Sequence, residues 1–247
     1  MNKKNRLAVS LIAAVILLAC ACPATSLPVI NGQSTATIPS PAALPTQPEI
    51  PTAVPPSSNV LYKDDFSVES TELETFSDES GSAGTKDGAY VVRSTGELWN
   101  WGRSDSEFSD TVIEFDATIT ASPANNNAGA GVICRMKTRD DNSIDGYLLA
   151  VSGDGYYTIR SITSSSMNAL VDWTPSDTVN QGNQQNKIRA TCNGSELKLE
   201  VNGEVLATAS ADASGPQSGG FAFAAVSFEA GEPVTEAHFD NLVVSKP

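Results

Sequence analysis

From about residue 59 onward the sequence predicts an all-β fold, a sandwich or barrel, and three observations carry that expectation. Short stretches alternate apolar and polar residues. "TVIEFDATIT" sets Ile113, Phe115, Ala117 and Ile119 on one face and Glu114, Asp116 and Thr118 on the other, the period of a half-buried strand. "KIRATC" does the same with Ile188, Ala190 and Cys192 against Arg189 and Thr191. Next, "ELKLEVNGEVLATAS" reads as two such strands joined by Asn202-Gly203, a strong hairpin signal. Finally, roughly a dozen strand candidates are separated by Gly, Asn, Asp and Ser turns, with no helical period and no internal repeat. Many short strands over this length imply one sandwich or barrel domain.

The segment before that domain has two parts. Lys3, Lys4 and Arg6 precede an uncharged run from Leu7 to Ala19. A spanning helix needs about 20 apolar residues, so this shorter run behind a basic head reads as the core of a secretory signal. Leu17-Leu18-Ala19-Cys20 ends it and resembles the lipobox of bacterial lipoproteins. The resemblance implies a signal peptide over 1–19, cleavage before Cys20, and a diacylglycerol on the Cys20 sulfur; Ala21 follows, not the Asp of an inner-membrane retention signal. An ordinary signal with coincidental cysteines is the plainer alternative. Residues 20–58 then form the lipidated cysteine and a stalk. Residues 23–58 hold nine of the chain's fourteen prolines, Glu49 as the single charge, and no aromatic residue. Such a segment cannot bury a core and favours extended polyproline II, reaching on the order of 100 Å. The domain occupies 59–247. The expected location is the cell envelope, outside the cytoplasm, with the lipid as the only membrane contact.

The domain carries further motifs in one order: "YKDDFS" near its start, "AGAGVICRMKTRDD" and "GYLLAVSGDGYYTI" in the middle, "VNGEVLATAS" and "FDNLVVS" at its end. This order resembles concanavalin A-like two-sheet jelly-roll sandwiches, in particular 3-keto-disaccharide hydrolase and family 16 glycosidase-like domains, with laminin G-like domains more distant. The resemblance implies a fold shared by enzymes, lectins and domains without activity, so function rests on the site. It also implies one structural calcium ion where the first and last strands meet. Asp65 and Asp240 are the matching positions, with Asp64 as a spare, and turn aspartates capping backbone groups are the alternative.

Catalysis finds little support. Family 16 enzymes carry three alternating acids on one strand. Glu114 and Asp116 match the first two, but Thr118 or Ile119 stands where the third belongs, so no acid–nucleophile pair is complete. His238 is the sole histidine and has no nucleophile motif around it. "DNSIDG", residues 141–146, imitates a calcium loop, but Ser152 occupies the position of its final Glu, which reads as a turn.

Binding finds more. "ELWNWGR" puts Trp99 and Trp101 on one strand face, either core or the edge of a cleft, since a buried indole still needs a partner for its N–H. The polar face of "TVIEFDATIT" and "GVICRMK" is expected to line a shallow cleft. There Glu114 and Arg135 turn outward and pair if the strands are neighbours, Tyr147 follows on the next strand, and Trp99, Trp101 and Trp173 form the rim. The plainer alternative is a surface salt bridge with no ligand. With Cys20 committed to lipid and Cys22 on the tail, Cys134 and Cys192 are expected to form a disulfide, both sharing phase with core residues, against the alternative of two free thiols.

These readings converge on a lipid-anchored exported protein whose sandwich binds carbohydrate or another surface polymer without catalysis. A glycan-active hydrolase and a structural or sensory protein-binding domain are the alternatives. The net charge of −14 makes nucleic acid an unexpected partner, because an acidic body repels phosphate backbones.

Overall fold

The computed structural model describes residues 59–229 and 234–247. All of them fall within the compact unit Val54–Pro247. The expected signal peptide, the Cys20 expected to carry lipid and the expected stalk lie outside the described residues.

The described residues form fifteen strands in two antiparallel sheets. The larger contains β1 (Val60–Asp64), β2 (Phe76–Asp78), β3 (Gly81–Lys86), β4 (Ala89–Thr95), β6 (Thr111–Ala121), β11 (Asn186–Asn193), β12 (Glu196–Val201), β13 (Glu204–Ser210) and β15 (Val234–Ser245). Its order is β13-β12-β11-β6-β15-β4-β3-β2, with β1 lying against the C-terminal half of β15. The smaller contains β5 (Asn100–Arg103), β7 (Ala128–Thr138), β8 (Ile144–Ser152), β9 (Tyr156–Thr163), β10 (Ser166–Pro175) and β14 (Gly220–Ser227), in the order β10-β9-β8-β7-β14-β5. The two sheets pack as a jelly-roll sandwich.

Strand alternation builds the core. Ile113, Phe115 and Ala117 of β6 meet Val132 and Cys134 of β7, Leu149 of β8, and Phe221 and Phe223 of β14 in one buried cluster. Phe223 stacks on Phe239 with ring centroids 4.3 Å apart and meets Phe115 edge-on at 5.0 Å. The Asn202-Gly203 hairpin stands where it is expected, between β12 and β13. Both residues have positive φ, +50° and +87°, as a tight turn of this hand requires.

At the domain's start, β1 pairs with β15 alone among the described residues, from Val60 opposite Ser245 to Asp64 opposite Leu242. The Lys246 amide donates to the Asn59 carbonyl just outside this ladder. The strand ends at Asp64, and two residues on Phe66 takes φ +51°; its amide donates to Asp64 Oδ1 at 2.8 Å and its ring is fully buried against Tyr90 and Phe223.

Two sequence expectations are corrected here. β6 and β7 follow one another in the chain but belong to opposite sheets, so "TVIEFDATIT" and "GVICRMK" share no polar face. A bulge between Cys134 and Lys137 also breaks the alternation of β7. Arg135 sits in that bulge with φ +50° and is 2% exposed. Its guanidinium donates to the Ser109 carbonyl, the Gly194 carbonyl and Asp110 Oδ1, at 3.0, 2.9 and 2.8 Å. It does not pair with Glu114. Tyr147, opposite Cys134 in register, faces the core and donates from its hydroxyl to the Asp212 carbonyl. Burial pushes that hydroxyl's pKa up.

The Cys134–Cys192 disulfide joins β7 to β11, and therefore sheet to sheet, with Cα atoms 6.7 Å apart. The Gly194 amide donates to Asp110 Oδ1, the same oxygen that receives Arg135. Disulfide, arginine and aspartate thus pin one end of the sandwich.

Candidate functional site: an aromatic cleft on the smaller sheet

The outward face of the smaller sheet is apolar, not polar. Ala222 and Ala224 of β14, Ile133 of β7, Leu148 and Ala150 of β8 and Ile162 of β9 form a second buried cluster, on which Trp99, Trp101, Met167 and Trp173 pack. Register shows how the face is laid out. Trp101 lies opposite Ala224, Ala224 opposite Gly131, Gly131 opposite Ala150, and Ala150 opposite Thr158. Small side chains therefore run across the middle strands, with large aromatics on either side.

Several local features place those aromatics. Gly102 lets β5 lie directly over Tyr90: a Cβ there would collide with the tyrosine hydroxyl. Its neighbours on the strand, Trp101 and Arg103, consequently turn outward, while Asn100 turns inward and donates from Nδ2 to the Ser80 carbonyl at 2.5 Å. Trp99 shares the outward phase of Trp101, as expected from the sequence, and its ring edge comes against Gly129. Phe228 follows β14 in the same outward phase as Ala222 and Ala224 and stands between two tryptophans. Its ring meets Trp99 edge-on at 6.0 Å and Trp173 edge-on at 5.5 Å.

These rings bound a cleft of about 560 Å³. Leu98 and Glu97 form one lip; Met167 and Ser165, from β10 and the turn before it, form the other. Arg160 on β9 is the one cation in the lining among the described residues. Its guanidinium carbon lies 5.8 Å from the centre of the Trp173 ring. A second compartment of about 260 Å³, lined by Asn127, Ser152, Asp154 and Tyr156, adjoins the first across Trp173 and Phe228. Beside it Glu229 accepts from Asn127 and Asn125, at 2.8 and 2.5 Å, and these bonds hold its carboxyl below the usual range. The arrangement offers flat rings, an amide, hydroxyls and a guanidinium along one open trough, the mix of apolar walls and few polar groups typical of ligand sites.

Of the residues singled out from sequence, the cleft brings together Trp99, Trp101 and Trp173. Arg135 and Tyr147 are buried elsewhere. Glu114 lies on the outward face of the larger sheet, on the other side of the sandwich, opposite Arg189 in register and 3.4 Å from it. The other lining residues, among them Arg160, Met167 and Phe228, are not singled out from the sequence. The phase of "FAFAAVSF" does put Phe228 on the face away from Phe221 and Phe223, but nothing in the sequence says that this face is concave and lined with rings.

Asp65 and Asp240 do not fit as a calcium set. Asp65 Oδ1 accepts from both the amide and the hydroxyl of Ser67, and these bonds hold its carboxyl low. Asp240 Oδ1 accepts from the Asn241 amide at 2.6 Å. The groove between β1 and β15 is lined by Lys63, Asp64, Asp65 and Asn241 but not Asp240. Asp64 is likewise engaged, by the Phe66 amide and by the Tyr62 hydroxyl at 2.6 Å; burial first, and then this bond, push Tyr62 up to about 12. Asp65 and Asp240 are not brought together in one lining, each has one oxygen turned onto its own chain, and Lys63 stands in the groove, a poor match to the six to eight converging oxygens calcium takes. The 141–146 motif is a turn: Asp141 accepts from the Ser143 amide and hydroxyl, and Asp145 pairs with Arg139.

No protein-family model matches the chain, and no curated protein matches it. Solved structures do. One is a Bacillus subtilis protein of unknown function with a galectin-like fold, at 12% identity over 76% of this chain and 96% of that one, with a TM-score of 0.56. Another is LamA from Zobellia galactanivorans in complex with laminaritriose and laminaritetraose, at 11% identity over 76% and 98%, TM-score 0.52. A third is the catalytic domain of an endo-1,3-beta-glucanase (laminarinase) from Thermotoga petrophila, at 10% identity over 76% and 97%, TM-score 0.51. At such identities the likeness is one of backbone: the chain has the fold of concanavalin A-like lectin and glucanase domains.

Proposed function

We propose that the protein is an exported, lipid-anchored surface protein whose sandwich binds carbohydrate in the aromatic cleft without catalysis. The observation that supports this reading most is the convergence of Trp99, Trp101, Trp173 and Phe228 around one open trough beside Arg160. Sugar rings present apolar C–H faces that pack on indole and phenyl rings, and hydroxyls that pair with guanidinium, amide and carboxylate groups. The bound laminari-oligosaccharides of the Zobellia structure show a carbohydrate held on the same fold; for this chain they are support by analogy. Hydrolysis would call for a pair of carboxyl groups flanking the ligand, and the best-matching acid, Glu114, is on the opposite side of the sandwich.

A glycan array probed with the full chain in mild detergent tests the binding. Trp101→Ala and Trp173→Ala are each expected to weaken the bound glycans by roughly tenfold or more, the equivalent of about 1.4 kcal/mol or above. A folded protein that retains no glycan, or variants that bind as the parent does, would overturn the reading. Release of shortened oligosaccharides from a bound glycan would replace it with the hydrolase alternative. The anchor is tested separately, by mass spectrometry of the N-terminal peptide. The expected species begins at a diacylglycerol-modified Cys20, and a free thiol at Cys20 or cleavage elsewhere refutes it.

A further inference from the structure

Arg160 stands apart from the other cleft residues. Its side chain is only 18% exposed, yet among the described residues its guanidinium makes one hydrogen bond, from Nη2 to Asp172 Oδ1 at 3.1 Å. A guanidinium carries five N–H donors in a planar fork. Arg135, the buried arginine of the same sheet, directs three separate bonds at protein acceptors. Arg160 is therefore a largely enclosed cation whose remaining donors have no protein partner among the described residues, on the wall of an aromatic cleft.

The partner it does have is weakly held. The Asp172 side chain is 82% exposed, and its Oδ1 also accepts from the Trp173 amide at 2.8 Å, so it can stay hydrogen-bonded when Arg160 lets go. The guanidinium carbon lies over the Trp173 ring, 5.8 Å from its centre, a contact that uses none of its in-plane donors. A planar cation in the cleft lining, with N–H donors that no described protein group uses, matches a carboxylate, which takes two parallel N–H bonds.

We infer that the cleft selects an acidic glycan, a polysaccharide bearing uronic-acid carboxylates, and that Arg160 reads the carboxylate as its specificity-determining residue. The inference rests on the carbohydrate reading above and narrows it. Charge also limits the density of acid on the ligand. The chain's net charge of −14 opposes any polyanion at long range, and Glu97 stands at the cleft lip. One carboxylate at intervals along a sugar chain meets Arg160 at short range with little of that repulsion, whereas a densely sulfated chain meets all of it. The Trp rings then hold the sugar faces on either side of the acid.

Two matched sets of probes decide the matter: oligosaccharides of four to six units in which a uronic acid alternates with a neutral sugar, and the same compounds with each carboxylate reduced to a primary alcohol. Binding of both sets to the full chain is measured by titration calorimetry. The acidic set is expected to bind roughly tenfold or more tighter than the reduced set, since charge-assisted bidentate bonds are about twice as strong as neutral ones. Arg160→Gln is expected to weaken the acidic set far more than the reduced set, and so to erase that preference. Arg160→Lys, which keeps the charge but not the fork, is expected to recover only part of it. Equal affinity for the two sets, or an unchanged preference in Arg160→Gln, overturns the inference and leaves carbohydrate binding intact. Preference for a heavily sulfated oligosaccharide over both sets overturns it as well. Binding of neither these probes nor any array glycan overturns both readings together. Circular dichroism of each variant excludes loss of fold as the cause.

Discussion

Two arginines on the smaller sheet teach opposite lessons. Arg135 lies at the pinned end, 2% exposed, with bonds to two carbonyls and a carboxylate. Arg160 lies in the cleft with one bond to an exposed aspartate. Both are cations on a sheet rich in apolar side chains. One has its donors matched by the fold, so its role is to hold the fold together. The other has donors that no described protein group uses, on the wall of an open cleft, so they are available to a ligand. The same contrast extends to the neighbours. Around Arg135 stand a disulfide and a core tyrosine; around Arg160 stand half-buried rings with open space between them.

The contrast can be broken most forcefully at the disulfide. Replacing Cys134 and Cys192 together by alanine opens a closed loop with a sequence separation of 58. The chain-entropy model puts the cost at about 4 kcal/mol. Urea denaturation of parent and variant should show that loss, while glycan affinity, measured where both are folded, should stay the same. A fall in affinity at unchanged stability would mean that the pinned end and the cleft are not separate regions.

A smaller loss is expected from Arg135→Met. It strips the acceptors at Ser109 and Gly194 of their donor and leaves Asp110 without its cation. Removing one partner of a buried pair costs about 3 to 5 kcal/mol; with the Asp110 side chain 47% exposed and able to rehydrate, about 3 kcal/mol is expected. The smallest effect should come from Arg160→Gln, whose ion pair is with an exposed partner and contributes about 0 to 1 kcal/mol. Side-by-side melts of the two arginine variants sharpen the comparison. If Arg160→Gln unfolds as readily as Arg135→Met, the two arginines are both structural and the distinction drawn from their donors is lost.

Much of this architecture is legible in the sequence because alternation is local. The faces of β6 and β11, the Asn202-Gly203 turn and the shared phase of Trp99 and Trp101 follow from neighbours along one strand, and the Cys134–Cys192 bridge follows from setting aside the two N-terminal cysteines. What misleads is non-local. The reading of Arg135 as outward assumes an unbroken period through β7, and one bulged residue reverses it. Pairing Glu114 with Arg135 assumes that successive strands share a sheet, whereas a sandwich sends β6 and β7 to different layers. The cleft draws on β5, β9, β10 and the residue after β14, segments far apart in the chain. A strand pattern carries no information about which distant segments meet, so Arg160 passes unnoticed in "YYTIRSI".

The attachment of β1 has a mechanical consequence. A pull on Asn59 directed across the sheet, away from β15, loads the Lys246–Asn59 bond first, then the Val60–Ser245 pair, and so on in sequence. Under that direction of pull each rung is loaded alone, as in unzipping. Peeling would run through the five residues of β1 and stop at Phe66, whose ring is locked between Tyr90 and Phe223. At about 3.3 Å per residue this frees roughly 16 Å of chain. If the chain is tethered through its N-terminal side, as proposed above, this strand is a short compliant element in series with the tether, able to absorb a tug before the layers that form the cleft are strained.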